Sequence, residues 1–197
     1  WDVSRVETMN DMFYMASAFN SDVSSWDVSR VENMQYVFRS ASDFNSDVSS
    51  WDVSSVTTML GMFNFASDFN IDVSSWDVSR VTTMAGMFYD ATDFSQTLCW
   101  DIDASVTTTT NMFFGSGGGS LSSYDDGTGT TVYTPYAMSG TTELRTAVTA
   151  WCSDSATATT TYGAIKCWDT SAVTDMSNLI HTYCGTKSTF NEDLSLW

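Results

Sequence analysis

A four-residue phrase recurs along the first hundred residues: Trp1-Asp2-Val3-Ser4, Trp26-Asp27-Val28-Ser29, Trp51-Asp52-Val53-Ser54 and Trp76-Asp77-Val78-Ser79, each 25 residues after the last. A fixed period of about 20–50 residues marks an array of stacked units, and it constrains the fold more than any single window does. The apolar positions keep the same register. Val6, Val31, Val56 and Val81 form one column; Met9, Met34, Met59 and Met84 the next; then Met12, Val37, Met62 and Met87. Phe13, Phe38, Phe63 and Phe88 follow, then Ala16, Ala41, Ala66 and Ala91, and finally Phe19, Phe44, Phe69 and Phe94. Steps of three and four between these columns predict a short helix over about 6–16 in each unit. The segment 20–26 lacks that period and predicts a short strand with turns. One unit has too little interior to fold alone, so neighbours must bury each other's columns at about the 4.7–4.9 Å spacing of paired strands.

Local signals fit that outline. Ser4…Glu7 and Ser29…Glu32 have capping-box spacing, with Thr57 and Thr82 in place of the later glutamates. The Asn20, Asn45, Asn70 column reads as an inward amide ladder bonded to backbone. Methionine and tryptophan columns at repeat spacing read as core packing rather than a cofactor box.

The run Trp-Asp-Val-Ser-x-Val-Thr-Thr-Met-x-x-Met-Phe-x-x-Ala-x-x-Phe-Asn resembles the BspA-like leucine-rich-repeat surface proteins of bacteria and of protists such as diatoms, over residues 1–114 and again over about 141–197. The resemblance implies a leucine-rich-repeat solenoid on secreted or surface proteins, often adhesive, with no catalytic residues to carry over. The expected fold is therefore an α/β repeat solenoid, leucine-rich-repeat-like, with one short strand and one short helix per 25-residue coil.

The resemblance also implies how arrays open and close. Members often end on one cysteine before the Trp and a second after the last helix. Here Cys99 is present, but the second position falls in Gly115-Ser116-Gly117-Gly118-Gly119-Ser120 and holds none. Residues 1–114 are thus a first array with a terminal cap, in which Trp100-Asp101-Ile102-Asp103-Ala104-Ser105-Val106 carries an extra residue. Residues 115–140 are a Gly/Ser/Thr-rich loop, yet Leu121, Tyr124, Val132, Tyr133 and Tyr136 predict that it packs. Residues 141–197 begin with a helix whose Leu144, Val148 and Trp151 share a face, and continue into a new repeat at Cys167-Trp168-Asp169 that is lengthened around 183–188.

Composition excludes several function classes. Net charge is −17 in 197 residues, with sequence pI near 4.1. Nucleic acids and anionic membranes are poor partners for such a chain, because both require clustered Lys and Arg. Acidity favours solubility and divalent cations instead. No apolar run is long enough for a membrane span. No signal peptide is visible; the chain starts in mid-motif, as a mature product or a fragment would.

No catalytic site is expected. His181 is the single histidine, without Ser-His-Asp order or metal-ligand spacing. Aspartate columns hold the best chemistry: Asp2, Asp27, Asp52 and Asp77; Asp22, Asp47 and Asp72; Asp43, Asp68 and Asp93. Stacked carboxylates about 5 Å apart repel by about 1 kcal/mol even at water-like screening. Three answers stand: backbone N–H and Ser hydroxyl bonds, the nearby Arg5, Arg30 and Arg80, or bridging Ca²⁺ through the Asp22 or Asp43 columns. No other cofactor is called for.

Four cysteines without a CxxC suit two disulfides in an oxidising compartment. Cys152–Cys184 with Cys99–Cys167 is one pairing; Cys152–Cys167, with Cys99 free for an intermolecular bond, is its rival. Threonine runs at Thr107–Thr110 and Thr157–Thr161 are compositional candidates for O-linked sugars. Trp1 and Trp197 stand where neighbouring repeats would join, so both read as open assembly edges. The expected role is a non-catalytic extracellular or cell-surface module, structural or adhesive, that self-associates end to end into a fibre or coat. The alternative is a recognition module binding protein or glycan on the repeat face through Trp and Ser/Thr.

Overall fold

The computed structural model describes residues 1–102, 107–125, 131–132, 134–184 and 190–197, and of 124–125 and 131–132 the backbone alone. The extra residue expected within 101–106, the packing of Tyr124, Val132 and Tyr133 and the lengthened stretch at 185–188 lie outside the described residues. The chain forms two compact units, Trp1–Ser120 and Leu121–Trp197.

In the first unit the expected α/β solenoid of strand-and-helix coils is overturned. The helix over 6–16 forms in none of the repeats, where the segment is a run of turns, and the strand over 20–26 is irregular backbone with a turn, save for two residues in the fourth repeat. Among the described residues the regular elements there are two-residue strands at Thr97–Leu98 (β1) and Ser120–Leu121 (β2), the latter ending in the second unit. The physical reason lies in the hydrogen bonds. Within the first layer Val6, Met12, Ala16, Phe19 and Trp26 each have a counterpart turn bond: the N–H donates to the carbonyl three residues back, on Val3, Met9, Phe13, Ala16 and Val23. A turn brings its first and fourth residues to the same side, so a string of turns spaces inward residues by three, which a helix face does as well.

The alternate N–H groups leave the layer. Met9, Asp11, Phe13 and Met15 donate to Asn33, Gln35, Val37 and Arg39 carbonyls at 2.8–3.1 Å. The same register repeats from Met34, Tyr36, Phe38 and Ser40 onward, and single parallel bridges link Thr8, Asn33, Thr58, Thr83 and Thr108. Alternating directions require the backbone to reverse within each layer. It does so at two left-handed positions, 11/36/61/86/111 and 15/40/65/90/115, with φ between 52° and 72°. Gly61 and Gly86 meet this demand without strain, and Asn111 and Asp11 at little.

Layer upon layer, the apolar columns then close. Val56, Met59, Met62, Phe63, Ala66 and Phe69 have no exposed surface. Phe13, Phe38, Phe63, Phe88 and Phe113 stack with centroids 5.4–5.7 Å apart. The first four pack face to face on the second phenylalanine of their own layer, as Phe63 does on Phe69 at 3.8 Å. Trp26 lies over Trp51 at 6.4 Å. The indole N–H of Trp51, Trp76 and Trp100 donates at 3.0 Å to the carbonyl of Val23, Val48 and Val73 in the layer before. The asparagine column also bonds between layers: Asn20 and Asn45 side-chain oxygens accept from the N–H of Asn45 and Asn70.

The second unit does carry helices. They are α1 (Thr141–Ser153), α2 (Ser155–Tyr162) and α3 (Leu179–Tyr183), with a turn of 3-10 helix at Ile165–Cys167. Leu144, Ala147 and Val148 of α1 are buried against Met138, Ile165, Trp168 and Leu179. Glu143 fixes the start of α1, accepting from the Ser139 N–H at 2.7 Å and the Tyr136 hydroxyl at 2.9 Å. Asp154 caps α2 through the N–H groups of Ala156 and Thr157. Cys152 at the end of α1 is joined to Cys184 after α3, Cα atoms 5.2 Å apart. Cys99 and Cys167 are oxidised too, and none of the four cysteines is free.

Candidate functional site at the faces of the stack

Inside the stack every layer uses its neighbours, so the groups of interest are those in the outer rows of the described layers that meet no partner among the described residues. On the face of the first layer, the carbonyls of Thr8, Asn10, Met12 and Tyr14 occupy the positions of Asn33, Gln35, Val37 and Arg39, yet no donor meets them among the described residues. The Trp26 indole N–H, unlike those of Trp51, Trp76 and Trp100, also has no acceptor there.

Side chains on this face are correspondingly open. Trp1 is 87% exposed and stacks on Trp26 at 6.1 Å. Phe13, Phe19 and Trp26 are half-buried, whereas the same columns one layer in, Phe38, Phe44 and Trp51, are buried. A cleft of about 260 Å³ opens between Trp1, Phe13, Phe19, Val23 and Trp26.

The layer over 107–119 presents the opposite pattern. Met84, Gly86, Phe88 and Asp90 donate to Thr108, Thr110, Met112 and Phe114. The next N–H groups in that register, on Thr109, Asn111, Phe113 and Gly115, have no acceptor among the described residues. Along this ladder, one face is thus a row of four acceptors and the other a row of four donors, in one register set by the repeat, while the bonds of Glu32 to Glu7 and Asp43 to Ser17 run the other way beside it.

Of the residues singled out from sequence, Trp1 lies on the acceptor face. Trp197 lies in the second unit, half-buried on Trp168 at 5.9 Å, its indole N–H donating to Ile165. The donor face was missed by sequence reading, although the 25-residue register locates it once the direction of the bonds is known.

The aspartates stand in columns, each held by its own local bonds. Asp22, Asp47 and Asp72 each accept the backbone N–H, at 2.9 Å, and the hydroxyl of the serine two residues on. Asp2, Asp27 and Asp52 do the same with Ser4, Ser29 and Ser54. These serines therefore cap a turn, not a helix, and the capping-box glutamates have no helix to serve. The hydroxyl bond holds the carboxyls of Asp2, Asp22, Asp27, Asp47 and Asp77 below their ordinary value, with the N–H bond next in effect. Asp43, Asp68 and Asp93 are exposed and enter the stack through backbone N–H bonds to Ser17, Ser42 and Ser67. Among the described residues no three of His, Cys, Asp or Glu converge to hold a metal. His181 is exposed in α3. Trp51, Trp76 and Trp100 are buried, so they offer no surface to a sugar.

No helix among the described residues is long and apolar enough to cross a membrane. The model of the family described as "Mycoplasma protein of unknown function, DUF285" matches residues 1–100, 26–124 and 136–197. No curated protein and no solved structure matches the chain.

Proposed function

The chain belongs to the DUF285 family, whose description assigns no function, and on that premise we propose a non-catalytic structural module that assembles end to end through the two faces of its first unit. The carrying observation is their complementarity: four unmatched carbonyls at Thr8, Asn10, Met12 and Tyr14 against four unmatched N–H groups at Thr109, Asn111, Phe113 and Gly115. Stacking the donor face of one copy on the acceptor face of another repeats the contact already made between successive layers inside each copy. Such a contact is heterologous, so it propagates to a filament rather than closing as a dimer. Apolar closure supplies the driving force, since Trp1, Phe13 and Phe19 would lose the exposure their inner counterparts have already lost.

The module belongs outside the cell or on its surface, a reading supported by the oxidised cysteines. Closer kinship with BspA-like surface proteins, supported by the repeat phrase, fits an adhesive fibre or coat. Sedimentation velocity over a concentration series tests the assembly. The protein should grow beyond monomer with concentration, and Thr109→Pro, which removes an edge donor, should hold it at monomer without unfolding it. Concentration-independent monomers would overturn the proposal.

A further inference from the structure

One flank of the first unit is lined by aromatic side chains that the core does not use. Tyr14, Phe65 and Phe114 are 44%, 44% and 61% exposed. Arg39 lies over the rings of Tyr14 and Tyr36, 5.5 Å and 4.8 Å from their centroids. Tyr36 extends along the stack over Gly61, where a Cβ would collide with its ring. Phe65 meets Tyr89 edge-on at 5.6 Å, and Tyr89 stacks on Phe114 at 5.0 Å. The aromatics therefore run from the first layer to the last.

Backbone geometry makes this row unexpected. Tyr36 and Phe65 occupy the left-handed positions, at φ 56° and 58°, that Gly61 and Gly115 fill elsewhere. Bulky residues are disfavoured there, and Phe65 gains little burial in return, which is the pattern of strain kept for function.

We propose that this flank binds a linear neutral polysaccharide lying along the stack, with sugars against the exposed rings of Tyr14, Phe65 and Phe114 and against Arg39, which Tyr36 holds in place. Polar groups on the flank fit hydroxyls of both senses. The Arg39 guanidinium has no carboxylate partner and the Asp90 carboxylate no donor among the described residues, so one donates to and the other accepts from the sugar. A polyanion would meet Asp90 and a net charge of −17. A peptide strand would find no free backbone here, because Met15, Ser40, Phe65 and Asp90 N–H groups already bond to Arg39, Asn64, Tyr89 and Phe114.

Affinity electrophoresis and calorimetry of the whole chain with a soluble β-glucan, a xylan, a mannan and, as the acidic arm, polygalacturonate test this. At least one neutral polymer should bind. The double variant Tyr36→Gly, Phe65→Gly should melt at the same or a higher temperature yet bind about tenfold or more weakly. Thr109→Pro should bind as the parent does. Failure of all three neutral polymers, binding confined to polygalacturonate, or a double variant that binds undiminished would overturn the proposal. A protein partner engaging this row while every glycan fails would do so too.

Discussion

Glycine 61 carries two demands at once: a left-handed φ of 55° and the face of Tyr36 against its Cα. Gly86 has a similar φ of 59°, but a Cβ there would meet only ordinary contacts, the nearest 3.5 Å away. Gly86→Ala should therefore cost about 1 kcal/mol, from the left-handed backbone alone. Gly61→Ala should cost more, and Tyr36→Gly in the same chain should recover the excess; chemical denaturation of the four combinations measures the coupling. Equal losses at 61 and 86 would mean the Tyr36 contact does not bear on stability. These glycines were also the legible sign against a helix over 6–16, since Gly61, Gly86 and Asn111 sit mid-segment in one column. Tyr36 in the same column concealed the sign.

Acid response belongs to this scale as well. Asp22, Asp27, Asp47 and Asp77 titrate below the ordinary 3.8 because each accepts a serine hydroxyl first and a serine N–H second. A carboxyl whose folded value is depressed stabilises the fold above its unfolded value and loses that contribution as pH falls through the folded one. Melting temperature should thus hold down to about pH 4 and decline below it. Ser24→Ala with Ser49→Ala should flatten the decline. Because the carboxylates are exposed, each contribution is small, and the effect is read from their repetition.

At the scale of the element, the layer replaces the helix and strand as the unit of construction. Its columns were legible because burial selects side-chain type whatever the backbone does. Bond direction was not legible, since turns and a helix both return an inward residue after three steps, and the Asp-Val-Ser phrase suits a helix cap as well as the turn it makes. Inner and outer layers should differ in worth. Phe63→Ala removes a ring packed on all sides and should cost about 3–5 kcal/mol. Phe19→Ala, on the half-open first layer, should cost distinctly less. Equal costs would deny the difference between closed and open layers. In the second unit the apolar face of α1 was readable from Leu144 and Val148, which are buried. Replacing Cys152 and Cys184 by alanine should remove about 2–4 kcal/mol from that unit.

At the largest scale, the proposed assembly follows from a ladder in the first unit, from Met9–Met15 through its counterparts to Met84–Asp90, whose bonds all run one way. A ladder with direction has unlike ends, and unlike ends of one register fit each other. The repeat phrase announced the stacking, and Trp1 the acceptor face; the donor face became visible only with the bond directions. In the proposed assembly, the bridge column Thr8, Asn33, Thr58, Thr83, Thr108 would continue across the joint between copies. Thr8 and Thr108 are both exposed, and parallel neighbours in such a bridge stand within disulfide reach. Mixing Thr8→Cys protein with Thr108→Cys protein under mild oxidation, followed by peptide mapping, reads the joint directly. Cross-links should form between position 8 of one copy and position 108 of another, and neither variant should cross-link to itself. Position 8 linked to position 8, or no link at concentrations where the protein assembles, would contradict the head-to-tail stack.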